Sequence, residues 1–258
     1  KNYTNSIFIN ISSSYSLRQN KIFAFKIYEF SKIINLLKKF EIINVCLIGK
    51  INRPNLSNIK IDNILLKYID QIMNEYKKGD GQTLDLILAI FKNEGFKPKS
   101  LKSIDNTFYF NNADKEYVFQ NNANDELDTE KGVSLLRKIS KYDNAQAAVI
   151  SNGYILGIEA TEGTDQLLKR VALEKKKLKL DKREGILIKI SKTNQSNIID
   201  NPVIGPRTIR NALKANLNGI AIKKNNTIIF NKLKTIKMLE KNKLNLYFIW
   251  FILCSFSI

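Results

Sequence analysis

The sequence predicts an α/β protein made of two mixed α/β domains joined by a linker. Short apolar runs of strand length alternate with longer amphipathic stretches in both halves, and an Asn- and Asp-rich interval without periodicity, residues 105–128, lies between them. A chain of 258 residues with 44% apolar content is long enough for two modest cores. The expected boundaries are an N-terminal domain over 1–104, a linker over 105–128, a C-terminal domain over 129–243 and an apolar tail over 244–258.

In the first half, residues 7–11 and 22–25 are short β-prone runs and 27–40 has helical apolar spacing. Residues 45–48 read as a buried strand ending at Gly49, which sets β-α-β order. Helical periodicity returns over 61–76 and 83–93, interrupted at Lys78-Gly79-Asp80-Gly81 and closed by Gly95.

In the second half, 129–141 reads as an amphipathic helix, followed by strands 147–150 and 155–160 around the turn Ser151-Asn152-Gly153. Helix 164–178, strand 185–190, a proline-bearing loop, helix 207–215 and strands 219–222 and 227–230 complete that domain. The tail, LNLYFIWFILCSFSI, carries no charge but is shorter than the roughly 20 residues of a membrane-spanning helix. It reads either as strand completing a core or as a membrane-surface anchor through Phe248, Trp250 and Phe251.

Composition excludes several chemistries. With no His at all, imidazole bases and His-held metals are ruled out. Cys46 and Cys254 form no C-x-x-C pair, so a zinc site or disulfide framework has no support. A net charge of +18, from 42 basic and 24 acidic residues, attracts polyanions of any kind. No aromatic and arginine interleaving accompanies it, so nucleic acid is not an expected partner. The lysine stripe over 174–182 reads equally as a solvated helix end or a surface-binding patch.

Two clusters can carry chemistry. Glu159 to Asp165 runs from a strand through a glycine turn into a helix start. There Gly163 and Thr164 can cradle a phosphate, and Glu159, Glu162 or Asp165 can hold a hard metal ion; the same residues also suit ordinary capping. The second cluster, Lys189 to Lys192, Gln195, Asp200-Asn201-Pro202 and Gly205-Pro206, follows a strand. In it Asp200 sits before a proline turn and can ligate metal or orient water, or simply form an Asx-turn. No P-loop and no G-x-G-x-x-G is present.

Taken in order, GDGQTLDLI, KYDNAQAAVI, GIEATEGTDQLLKR, ILIKISKTNQ and DNPVIGPRTIRNALKANLNGIAI, with LIGKINRPNL upstream, resemble the LpxI-type UDP-2,3-diacylglucosamine pyrophosphatases of lipid A synthesis in Gram-negative bacteria. The resemblance covers about residues 41–230. It implies Mg²⁺-dependent attack of water on the α-phosphorus of UDP-2,3-diacylglucosamine, giving UMP and 2,3-diacylglucosamine 1-phosphate. It also implies a homodimer, a cytoplasmic location and peripheral association with the inner-membrane surface. By position, Asp200 matches the catalytic and metal aspartate of the D-x-P block, and Glu162, Gly163, Thr164 and Asp165 match the E-G-T-D block beside phosphate and metal. Gln146, with Asp143, matches a D-x-G-Q block, and Lys189 and Gln195 are the remaining substrate-binding candidates. The chain departs from the family at Ala145, at Ser196 in place of an aspartate, and at a missing glycine-rich first strand and loop. The N-terminal domain is therefore expected to be truncated relative to the family, and a catalytically impaired relic that binds phosphorylated glycolipid is the alternative.

Overall fold

The computed structural model describes residues 6–11, 22–26, 28–49, 62–76, 80–120, 122–140, 145–180, 182–192 and 201–249. Contacts divide the chain into two compact units, 1–101 and 102–258.

In the first unit, β1 (Phe8–Asn10) pairs in parallel with β2 (Ile22–Ala24), and β3 (Asn44–Val45) pairs in parallel with β4 (Lys97–Pro98). The helices are α1 (Phe30–Lys39), α2 (Asn63–Lys67), α3 (Ile69–Tyr76) and α4 (Asp80–Asn93). Phe30, Ile33, Ile34 and Leu37 of α1 meet Ile90, Phe91 and Phe96 in one apolar cluster, where the Phe30 and Phe91 rings lie 5.2 Å apart. The single helix expected over 61–76 is divided at Tyr68, and Asp62 caps its first part by accepting from the N–H groups of Ile64 and Leu65 at 3.1 and 2.9 Å. Asp80, expected in the interruption between two helices, begins α4 instead.

Helix α5 (Leu101–Ile104) crosses the boundary, and the second unit continues with a 3-10 turn over Asn106–Phe108. It then carries α6 (Ala123–Ile139), β5 (Ala147–Ser151), β6 (Tyr154–Ile158), α7 (Thr164–Lys177), β7 (Ile186–Lys189), β8 (Val203–Ile204) and α8 (Pro206–Lys214). β9 (Gly219–Ile222), β10 (Ile228–Ile229), α9 (Lys232–Asn242) and β11 (Asn245–Phe248) follow. Among the described residues the main sheet has the order β11-β9-β7-β5-β6, with β7, β9 and β11 parallel and β5 antiparallel to both neighbours.

Its central strands are apolar throughout because both faces are covered. Strand alternation sends Ala147, Val149, Leu187, Ile220 and Ile222 to the side of α7, α8 and α9, and Ala148, Ile150, Ile186, Ile188 and Ala221 to the side of α6. Gly132 lets α6 approach that second face: a Cβ there would lie 2.6 Å from Ile188 Cδ1 and 3.2 Å from Ile150 Cγ1.

The stretch 105–128, read as a linker, is structured against the second unit. Tyr109 and Phe110 are buried, and the Tyr117 N–H donates to the Leu246 carbonyl at 3.2 Å. Helix α6 begins at Ala123, capped by Asn122, rather than at residue 129, because two turns of polar sequence hid its start from apolar periodicity. Helix α9 and strand β8 were not expected.

The tail expectation is resolved as far as Ile249. Residues 245–248 form β11 beside β9, and Phe248, 4% exposed, packs on Phe110 at 5.3 Å between ring centroids, so its ring is core rather than membrane anchor. Trp250 and Phe251 lie outside the described residues. Among the described residues no helix is long and apolar enough to cross a membrane. The lysine stripe is also corrected at Lys175, which is buried and donates to the carbonyls of Glu184 at 2.9 Å and Asn216 at 2.8 Å.

At the edge of the sheet where the parallel strands begin, buried Asp125 accepts from the Tyr247 hydroxyl at 2.6 Å and from the Asn218 amide. Its Oδ1 is buried without a hydrogen-bond partner. Burial raises the Asp125 pKa above the ordinary carboxylate value, against the hydrogen bonds from Tyr247 and Asn218.

Gly132→Val should destabilise the protein by about 1–3 kcal/mol through overpacking against Ile188, read as a lower denaturant midpoint. Asp125 supplies a pH test. Its contribution to stability is fully present below the unfolded value of about 3.9 and is lost as pH rises through the higher folded value. Thermal melts from pH 4 to 7 should therefore show a falling component that Asp125→Asn flattens; an unchanged slope in the variant would remove this assignment.

Candidate active site

Parallel register levels one edge of the sheet. Lys189 pairs with Ile222, and Ile222 with Phe248, so the carboxyl ends of β7, β9 and β11 lie in one row. β5 runs the other way, so Gln146, just before it, and Glu159, just after β6, reach the same edge. Ligands of open α/β sheets bind outside the carboxyl ends of the strands. The described residues of the two clusters meet at this edge through Thr164 and Lys189.

Glu159 is the hub. Its Oε1 accepts from the Thr164 hydroxyl at 2.7 Å and its Oε2 from the Gln146 N–H at 3.1 Å. The Thr164 oxygen in turn accepts from Lys189 Nζ at 2.6 Å. Lys189 and Thr164 are 8% and 9% exposed, so an ammonium is held by a hydroxyl at the rim of a largely buried strand end. The hydroxyl bridges carboxylate and ammonium, which fixes the direction of both hydrogen bonds.

Gly163 is the N-cap of α7 and takes φ 81, a left-handed conformation that glycine adopts without strain. A Cβ there would meet nothing within 4 Å, so the helix start faces open space. The first turn of α7 has N–H groups without intrahelical acceptors and the positive end of the helix dipole. Together with Lys189 this edge suits an anion such as phosphate.

Two of the expected metal carboxylates, Glu162 and Asp165, carry arginine partners. Glu162 pairs with Arg170 at 2.9 Å, and the hydrogen bond from that guanidinium holds its pKa below the ordinary value. Asp165 accepts from Arg207 Nε at 2.7 Å and from the Asn211 amide at 2.9 Å. Among the described residues no group of three or more Asp, Glu or Cys is placed to hold a metal ion, so these carboxylates do not by themselves fit a Mg²⁺ site. Asp200, Gln195, Ser196 and Asp143 lie outside the described residues.

Arg207 and Asn211 were not singled out in the sequence. Their i, i+4 spacing puts both on one face of α8, from which they reach Asp165 and join the starts of α7 and α8. Lys223, just past β9, has its pKa lowered by burial and then by the charge of Arg137 in the last turn of α6. Such strand-end cations carry no local sequence signal, because register alone brings them into one row.

The model of the LpxI C-terminal domain matches residues 117–247, and that of the LpxI N-terminal domain matches residues 4–106. The chain belongs to the LpxI family. It is similar to the UDP-2,3-diacylglucosamine pyrophosphatase LpxI of Caulobacter vibrioides, with 32% identity over 195 residues, 74% of this chain and 69% of that relative. The LpxI C-terminal match runs from Tyr117 into β11 and includes Gln146, Glu159, Thr164 and Lys189.

Thr164→Val removes the hydroxyl that accepts from Lys189 in a largely buried setting. It should lower stability by roughly 1–3 kcal/mol in urea denaturation, whereas Thr164→Ser should retain most of it. A loss in Thr164→Ser with none in Thr164→Val would mean that the methyl group, not the hydroxyl, matters.

Proposed function

We propose that this LpxI-family chain hydrolyses the pyrophosphate of UDP-2,3-diacylglucosamine, releasing UMP and 2,3-diacylglucosamine 1-phosphate in lipid A synthesis. The observation that carries this reading is the Glu159–Thr164–Lys189 chain beside the open start of α7, in a protein whose relative is named for that activity.

In this reading a phosphate of the substrate sits against the first turn of α7, next to Gly163. Lys189 Nζ, located by the Thr164 hydroxyl, neutralises charge that develops on the phosphate oxygens as the anhydride bond breaks. Glu159 keeps the Thr164 hydrogen turned away from Lys189, so that the lone pair stays directed at the ammonium. The role of placing the attacking water is assigned to Asp200 by its match to the D-x-P block of the family. Gln195 and Gln146 are assigned to substrate contacts on the same basis.

The proposal includes a requirement for Mg²⁺, for which Asp200, Glu162 and Asp165 were the candidate ligands. Glu162 and Asp165 hold arginines, and no step above depends on the metal. It further includes a cytoplasmic homodimer working at the inner-membrane surface, where a diacylated substrate resides.

The test is nucleotide release from UDP-2,3-diacylglucosamine with Mg²⁺ and with EDTA, for the unaltered protein and Asp200→Ala. We expect UMP only in Mg²⁺, and a fall of about 10²–10⁴-fold in the variant. No release from folded protein that still binds the phosphorylated glycolipid would support the impaired relic instead. Undiminished release from Asp200→Ala would remove the catalytic assignment.

A further inference from the structure

Alternation along the small parallel pair of β8 and β10 separates a buried face from an open one. Ile204 and Ile229 are fully buried, whereas Val203 pairs with Ile228 on the opposite face and, one step further on, Gly205 lies against Phe230. A Cβ on Gly205 would sit 3.1 Å from Phe230 Cβ, so glycine there leaves Phe230 its place. The Phe230 N–H donates to the Ile204 carbonyl at 2.8 Å, and its carbonyl accepts from the Thr235 hydroxyl at 2.8 Å. Its backbone is held while its side chain is 65% exposed. Val203 is 44% exposed, and Leu233, three residues after Phe230 in the first turn of α9, is 78% exposed. These apolar side chains stand at the entries to α8 and α9, whose N-caps are Gly205 and Asn231. A group of exposed apolar side chains on an ordered backbone marks an interaction site.

The two helices entered there present one sign of charge. α8 buries Thr208, Ile209, Asn211 and Ala212, and its exposed residues are Arg207, Arg210 and Lys214, spaced three and four apart on one face. α9 buries Thr235 and Leu239 and exposes Lys234, Lys237 and Lys241 at the same spacing, with Glu240 as the acid among them. The helices are neighbours on one side of the main sheet. A face that only needs solvation mixes its charges and has no use for an exposed Phe and Leu at its end.

We propose that Val203, Phe230 and Leu233, with the outward cations of α8 and α9, dock this protein on an anionic lipid bilayer. The apolar side chains enter the boundary between headgroups and acyl chains, and the surrounding lysines and arginines meet lipid phosphates. Charge selects this occupant. A second copy of the chain, brought to the same surface across a two-fold axis, would set like cations against one another. A nucleic acid would answer the cations but leave Val203 and Leu233 without a partner. The proposal gives the membrane association put forward above a surface, and its role in catalysis rests on the hydrolase reading. Arg207, paired with Asp165, ties this surface to the first turn of α7, so a diacylated substrate held in the bilayer would lie close to the candidate site.

Flotation of the whole chain with lipid vesicles tests the docking without turnover. We expect the unaltered protein to float with vesicles of phosphatidylglycerol and phosphatidylethanolamine and not with vesicles of phosphatidylcholine alone. Phe230→Ser with Leu233→Ser, and separately Arg210→Glu with Lys237→Glu, should each weaken binding by about tenfold or more. Lys102→Glu with Lys138→Glu makes the same change in net charge away from α8 and α9 and should stay within about threefold of the unaltered protein. Urea midpoints check that the variants fold, and if the apolar pair of substitutions shifts the midpoint, the charge-reversed pair decides.

Absence of vesicle binding by the unaltered protein overturns the proposal, as does undiminished binding in the folded Phe230→Ser, Leu233→Ser variant. Equal weakening by both charge-reversed pairs also overturns it, because net charge alone would then be the cause. Binding to a single-stranded oligonucleotide that is lost in Arg210→Glu with Lys237→Glu, while vesicle binding persists, overturns it in favour of nucleic acid. The hydrolase reading fails by a different result, absence of UMP release from UDP-2,3-diacylglucosamine, and flotation decides the docking surface in either case.

Discussion

The matched register of β7, β9 and β11 is the constraint on which the rest depends. Parallel strands can share a level carboxyl edge only if crossover helices return the chain to the same starting edge each time, and α8 and α9 do this between successive strands. Burial on both faces then locks the register, since a slip by one residue would exchange the side chains facing α6 with those facing α7, α8 and α9. Lys189 and Lys223 reach one edge of this sheet as a result.

Polar groups are divided between the two edges of this sheet according to how they are satisfied. At the edge where the parallel strands begin, Asp125, Asn218, Asn245 and Tyr247 hydrogen-bond to one another and to Phe119 and Gln120, fastening the segment before α6 to β11. At the carboxyl edge the hydrogen bonds run from one segment to the next around an open helix start, through Glu159, Thr164 and Lys189 and through Ser191, Asn226, Asn201 and Tyr109. The first arrangement fills space. The second leaves open space beside Gly163.

The exposed ion pairs at the site are read as geometry rather than as stability. Arg207 is well exposed, and pairs of this kind contribute little to folding in water. With Asn211 it joins α8 to the first turn of α7 through Asp165. By contrast Lys189 and Thr164 are largely out of water, so their hydrogen bond is stronger and costlier to lose.

Sequence alone determined the α/β class and the central strands of the second unit. Continuous apolar runs such as residues 186–190 and 219–222, and a glycine before a helix start at Gly163, are local signals with one dominant physical meaning. The polar start of α6 was hidden because its first turns lack apolar periodicity, and β11 was ambiguous because a strand buried on both faces and a membrane-facing segment share the same apolar run. Glu159 as hub, the arginine partners of Glu162 and Asp165, and the Asn226 hydrogen bonds came only from tertiary structure. Each joins residues distant in sequence through strand register and helix packing, and those relations have no signature within any single window of the chain.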